Sequence, residues 1–310
     1  MTKPNFFISG APRCGTTALY TYLSEHPQVF MSAVKELNYF ASDFPHVQKI
    51  NFQSDADYER VFAQAGPQHL AVGEASPFYL FSRVAFEKMY TYDSNARVIV
   101  TLRNPVEFIH SYHQLNLSLL RENEKDLARA WGLQEARCQG KSLPLSVRQV
   151  DLLMYGELGK FSQYVQRLYA VFPREQVKIF LFDDFRHDVC KVYEETLAFL
   201  GVPSDGREVF PQINANFENR SQLLARLFHP PQPVYRLFMR VISLFGVNFM
   251  KNFSLVYNKI ERLNTTEASR SGLSLTLRAQ MQAHFRSDIE SLADLLERDL
   301  SGWLAEEKDG

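Results

Sequence analysis

The sequence predicts an α/β fold, a parallel sheet flanked by helices and followed by a helical C-terminal region, and three observations carry that expectation. An apolar run, Phe6-Phe7-Ile8, enters a glycine-bounded, hydroxyl-rich turn that opens a helix. A second run of buried-strand character, Arg97 to Leu102, ends in Arg103-Asn104-Pro105 and again gives way to a helix. Residues 160–172, 177–182 and 189–200 then read as helix, strand and helix, the last stopped by Gly201 and Pro203. Alternation of this kind lays strands side by side in parallel, with the helices as crossovers. With 310 residues, 45% of them hydrophobic and 13% aromatic, the chain has enough apolar material for one large domain. Its core is expected at about residues 5–203, with a helical cap and C-terminal region at about 204–310.

The first turn, Gly10-Ala11-Pro12-Arg13-Cys14-Gly15-Thr16-Thr17, reads as a phosphate cradle. Backbone N–H groups in a tight turn and at a helix N-terminus point outward, where they hold an anion. Gly10 and Gly15 permit the turn and the close approach of a ligand. The glycine spacing is that of the nucleotide P-loop, but Thr16 stands where a lysine would reach terminal phosphates. This counts against a nucleoside triphosphate site, and Arg13 supplies a cation from within the loop instead. Taken alone, the loop is equally readable as a crossover with capping threonines and no ligand. Cys14, beside Arg13 at a helix start, is either a reactive thiol or a small buried loop residue.

The second strand exit places Arg103 before Pro105, a residue tolerated at a helix start, with Ser111 eight residues after Arg103 and Tyr112 beside it. A planar guanidinium binds phosphate oxygens in a bidentate way, which suits Arg103 to an anion. Between the two exits lie Lys35-Glu36-Leu37-Asn38-Tyr39-Phe40, a charged pair set against aromatic residues, and Gly73-Glu74-Ala75-Ser76-Pro77-Phe78-Tyr79. Lys35 and Glu36 are alternatively a solvated surface pair.

Together these motifs resemble the sulfotransferases that use 3′-phosphoadenosine-5′-phosphosulfate (PAPS), in particular the heparan sulfate and tyrosylprotein enzymes. The resemblance covers residues 5–203 closely and the remainder loosely, and it implies a P-loop-like fold. It also implies roles: Arg13, Cys14, Gly15, Thr16 and Thr17 on the 5′-phosphosulfate, Arg103 and Ser111 on the 3′-phosphate, and Glu36 as general base. Glu36 would take the proton of an acceptor hydroxyl or amine, with Arg13 and the loop amides stabilising the leaving phosphate. Two positions depart from the pattern of the heparan-modifying relatives: Ala75 replaces a lysine and Asn38 a histidine. The acceptor, whether glycan, lipid or small natural product, is not readable from these residues. In relatives a basic segment after the last core helix closes over the donor, making Arg220 the candidate for that role, or else a solvent-exposed loop arginine.

The formal net charge of −1 excludes a general nucleic-acid binder. The spacings of Cys14, Cys138 and Cys190 match no zinc pattern, and the scheme requires no metal. Three cysteines fit a reducing compartment, and folding is expected to begin almost at Asn5 with no room for a leader, so the resemblance points to a cytoplasmic, bacterial-type enzyme or an excised catalytic domain. Residues 120–150 read as a polar, irregular insertion on the acceptor side, and residues 273–303 as a closing amphipathic helix and tail. Residues 233–263, aromatic, apolar and punctuated by arginine, suit a helical cap, a packing helix or a membrane-surface contact. Two other functions stand beside the sulfotransferase: a nucleotide-dependent kinase and a non-catalytic nucleotide-binding partner protein.

Overall fold

The structure, a computed structural model, describes residues 3–48, 50, 52–145, 147, 149–213, 217–219, 265–267 and 272–305. Arg220 and the whole of the segment 233–263 singled out above lie outside the described residues. The strands are β1 (Phe6–Ile8), β2 (Val29–Met31), β3 (Ala71–Ala75), β4 (Arg97–Leu102), β5 (Val177–Leu181), β6 (Phe217–Asn219) and β7 (Thr265–Glu267). The helices are α1 (Thr16–Ser24), α2 (Asp55–Glu59), α3 (Ala85–Tyr92), α4 (Pro105–Ser118), α5 (Leu127–Gly132) and α6 (Gln134–Cys138). They continue with α7 (Tyr155–Leu158), α8 (Phe161–Val171), α9 (Phe182–His187), α10 (Val189–Leu200) and α11 (Leu275–Leu296). The chain divides into two compact units, one of Met1–Phe108, Gly156–Asn214 and Arg278–Gly310, the other of Ile109–Tyr155 and Ala215–Leu277.

In the first unit β1 to β5 form the expected parallel sheet, in the order β2-β3-β1-β4-β5. From β1 the chain goes to the edge strand β2, returns to place β3 between β2 and β1, and then crosses to the other side for β4, so the order reverses between β1 and β4. Ligands of open parallel sheets bind outside the carboxyl ends of the strands at such a reversal. Both predicted phosphate motifs leave those two strands.

The central strands are apolar because both faces are covered. Phe6, Phe7 and Ile8 are fully buried, as are Val98, Ile99 and Val100. One core cluster joins Ile8 and Ile99 to Leu19 and Leu23 of α1 and to Val192, Leu197 and Leu200 of α10. Each such aliphatic side chain contributes roughly 1.5–3 kcal/mol on burial. Asp188 caps α10 by accepting from the Lys191 N–H at 2.9 Å. Gly201, at φ 71°, ends it, with the Val202 N–H donating back to the Leu197 carbonyl at 2.9 Å, as the sequence predicts.

Two expectations need correction, and the bounds of the closing helix and tail become definite. Phe182 is the first residue of α9 rather than the last of β5, which turns its ring out of the sheet. The closing helix stops at Leu296: Glu297 takes φ 53°, and the Arg298 N–H bonds the Ala293 carbonyl at 3.1 Å, a left-handed C-terminal cap made without glycine. Trp303 therefore lies in a separate 3₁₀ turn, Ser301–Leu304. Residues 120–150, read as irregular, contain α5 and α6 in the second unit. There Glu122 accepts from the Arg137 guanidinium at 2.7 Å and from the Tyr155 hydroxyl at 2.9 Å. The Glu122 and Arg137 side chains are both wholly buried, and this interior ion pair organises a stretch whose polar composition suggests a loop.

Candidate active site

Gly10 and Gly15 serve the first turn in different ways. A Cβ on Gly10 would lie 2.3 Å from the Thr101 backbone nitrogen, so this glycine lets the end of β1 close against β4 and does not open a path for a ligand. The Ser9 and Ala11 N–H groups donate to the Ile99 and Thr101 carbonyls at 2.7 and 3.1 Å, continuing the pairing beyond the strand. Gly15 is the N-cap of α1 at φ 97°; it offers no side-chain cap, and the first turn of α1 carries no acidic residue. The amides that begin α1 thus keep the positive end of the helix dipole without a side-chain counter-charge from that turn.

Arg13 lies within the electrostatic reach of Arg103. Burial, and then the charge of Arg103, bring the Arg13 guanidinium down to about 10. Cys14 is fully buried with its Sγ 3.5 Å from the Pro12 carbonyl oxygen, and burial pushes its thiol up to about 12 despite the two arginines. Of the two readings of Cys14, the structure favours the inert one. Thr16 is buried, and Thr17 is half-buried one residue along α1.

Arg103 is buried at the exit of β4 with its guanidinium 4.8 Å from the centre of the Phe182 ring. It donates to Glu107 Oε2 at 3.1 Å, while Arg278 of α11 donates to Glu107 Oε1 at 2.8 Å. Asn104 holds the turn, accepting from the Val106 N–H at 3.0 Å and donating to the Trp303 carbonyl at 3.2 Å. Ser111 is half-buried on α4, within the stretch that belongs to the second unit, and is described with that unit.

Glu36 and Lys35 do form the predicted pair, at 3.5 Å, but with side chains only 33% and 18% exposed. Lys35 Nζ also donates to Thr17 Oγ1 at 3.1 Å, which ties the pair to the first turn of α1. Glu36 and Asn38 both have left-handed backbones, φ 64° and 51°, as does Arg13 at φ 66°. Residues with a Cβ are strained in that region, and such strain is held only where the surroundings over-determine it. The surroundings here are built on Glu74 of β3. Its buried carboxylate accepts from the Tyr58, Ser76 and Tyr79 hydroxyls at 2.7, 2.6 and 2.6 Å. Ser76 Oγ in turn accepts from the Asn38 N–H at 3.0 Å, and the Ala75 carbonyl accepts from the Glu36 N–H at 2.9 Å.

The pattern of the sulfotransferase domain matches residues 3–223 of this chain. The chain belongs to that family. A sulfotransferase from Alicyclobacillus acidocaldarius of known crystal structure is 26% identical, with a TM-score of 0.71 over 98% of this chain and 100% of that one. A membrane-associated sulfotransferase, kil1 of Dictyostelium discoideum, is 32% identical over 39% of this chain and 25% of its own length. The human bifunctional heparan sulfate N-deacetylase/N-sulfotransferase 3 is 24% identical over 64% of this chain and 22% of its own. The chain therefore matches about a quarter of the length of these two curated relatives. The five-stranded parallel sheet with flanking helices is the sulfotransferase fold.

Within this sulfotransferase domain, sequence reasoning passed over three residues of the site. Lys35 was read only as the partner of Glu36, Phe182 as a strand residue, and Arg278 as part of a closing helix. The visible signal for the first is the Lys35-Glu36 dipeptide itself, a second charge directly beside the candidate base. No sequence signal brings Arg278 to Glu107, which is 171 residues away. Among the described residues no three His, Cys, Asp or Glu side chains gather as a metal site, and no helix is long and apolar enough to cross a membrane.

Proposed function

We propose that this chain transfers a sulfuryl group from PAPS to a hydroxyl or amine of an acceptor. The reading is carried by the convergence of Arg13 and Arg103 at the uncapped start of α1, with the Lys35–Glu36 pair against the same turn. Mutually repelling guanidiniums beside a helix N-terminus are relieved by a polyanion, which fits a donor bearing two phosphate groups. Arg13, Gly15 and the amides from Cys14 to Thr17 would hold its 5′ end. Arg103, with Ser111 and Arg220, would hold the 3′-phosphate.

When bound, PAPS supplies the sulfuryl group. Glu36 takes the acceptor's proton as the acceptor oxygen or nitrogen bonds to sulfur and the bond from sulfur to the bridging phosphate oxygen breaks. The electron pair stays on that oxygen, where Arg13 and the loop amides meet the charge. Relatives named for heparan sulfate support a glycan acceptor, although Ala75 lacks the cation of several of them; lipid and small natural product acceptors suit the same base. Residence in the cytoplasm and membrane-surface contact through residues 233–263 belong to the same proposal.

Calorimetry tests it. 3′-Phosphoadenosine-5′-phosphate (PAP), the desulfated product, is expected to bind without metal and to lose that binding in Arg103→Ala. Glu36→Gln is expected to bind PAP while turnover falls by about 10²–10⁴-fold. Preference for magnesium-ATP would return the chain to the kinase class, and PAP binding indifferent to Glu36 with no turnover on any acceptor would make it a binding protein.

A further inference from the structure

The Lys35 ammonium contacts two groups with opposite demands, the Thr17 hydroxyl in the phosphate loop at 3.1 Å and the Glu36 carboxylate at 3.5 Å. Beside the first turn of α1 a lysine stands at the wrong end of the helix dipole, where anions are stabilised and cations are not. No acidic side chain of that turn compensates it, and Arg13 and Arg103 already concentrate positive charge there. In the free protein Glu36 pairs with Lys35 and Glu107 with Arg103, and an anionic ligand offers the same cations a further partner. Thr16 occupies the loop position where a P-loop places its lysine, so the loop itself carries no ammonium. Lys35 brings one to the next residue from a different segment.

We propose that Lys35 is the cation for the 5′ end of the donor, and that it exchanges partners when the donor binds, leaving Glu36 for the anion and so freeing the base. The proposal rests on the PAPS reading above. In the free protein the ammonium engages the carboxylate that is to accept a proton, which keeps Glu36 occupied until a donor is in place. With donor present, the ammonium is drawn to the oxygens at the α1 N-terminus. The Thr17 hydroxyl, which accepts from it at 3.1 Å, marks the side to which it moves. Availability of the base thereby follows occupancy of the donor site.

Two nucleotides that differ only at the 5′ position separate this assignment from the reading on which it rests. Calorimetry is run with adenosine 3′,5′-bisphosphate and adenosine 3′-monophosphate on the wild type, Lys35→Met, Lys35→Arg and Glu36→Ala. Lys35→Met is expected to lose about tenfold to a hundredfold in affinity for the bisphosphate, the scale of one charged hydrogen bond, and nothing for the monophosphate. Lys35→Arg is expected to restore most of the loss. Glu36→Ala is expected to tighten the bisphosphate several-fold, because the ammonium no longer has to leave a carboxylate. Wild-type protein that ignores the bisphosphate sinks the donor reading and this inference with it. Tight wild-type binding with Lys35→Met losing nothing, or losing equally for both nucleotides, overturns the role of Lys35 alone. Unchanged affinity in Glu36→Ala overturns the exchange of partners.

Discussion

Arg13 is held in the field of Arg103, with burial and that second guanidinium together bringing its own down to about 10. Two positive side chains, about ninety residues apart in sequence, are thus kept together at the start of α1.

The first prediction concerns this repulsion. Arg13→Gln is expected to raise the melting temperature of the ligand-free protein, by about 2–4 °C for each kcal/mol of strain removed. The same change is expected to lower turnover by a hundredfold or more, since a preorganised donor at developing charge is worth roughly 3 kcal/mol. Scanning calorimetry and a donor-turnover assay check the two arms, and a lower melting temperature would show that the other interactions of Arg13 outweigh the repulsion.

Glu74 anchors the strained Glu36 turn through its three hydroxyl partners, and burial raises its carboxyl above the ordinary 4.5 despite them. Because the folded value is the higher one, the folded state binds the proton more tightly. The stability that Glu74 contributes is full below the unfolded value and is lost as pH rises through the folded one. Glu74→Gln is expected to flatten that part of the stability–pH curve and to cost about 1–3 kcal/mol through mismatched hydroxyl donors. PAP affinity is expected to survive while kcat falls, which chemical denaturation and kinetics measure separately.

Gly10→Ala is expected to destabilise by about 1–3 kcal/mol, the usual cost of overpacking, because its Cβ would lie 2.3 Å from backbone on β4. Were Gly10 there only to admit a ligand, the variant would fold normally and lose PAP affinity alone. Urea unfolding beside calorimetry tells the two apart.

Cys14 is expected to resist iodoacetamide at pH 8, its thiol being buried and raised to about 12, while the exposed Cys138 reacts. Peptide mapping by mass spectrometry reads both sites in one sample, and alkylation of Cys14 in folded protein would contradict its burial.

The sheet was legible because its signals are local. The runs of β1 and β4 are apolar since both faces are covered, and Gly201 stops α10 through its own backbone. The position of Arg103, at a strand exit just before the helix that starts at Pro105, was legible in the same way. What escaped was decided by partners distant in sequence. Thr101 explains Gly10, the buried Glu122–Arg137 pair explains two short helices in a polar stretch, and Glu107 brings Arg278 toward Arg103. Glu297 escaped because a left-handed cap without glycine leaves no compositional mark.

Because the phosphate loop and the Arg103 turn leave hydrogen-bonded neighbours, β1 and β4, neither half of the site exists as a pair until those strands meet. A chain emerging from synthesis must extend past residue 105 before the two turns can face one ligand. On the proposed donor reading, nucleotide affinity would be an index of completed central-sheet assembly, and a bound nucleotide would hold together two stretches of chain whose closure costs entropy.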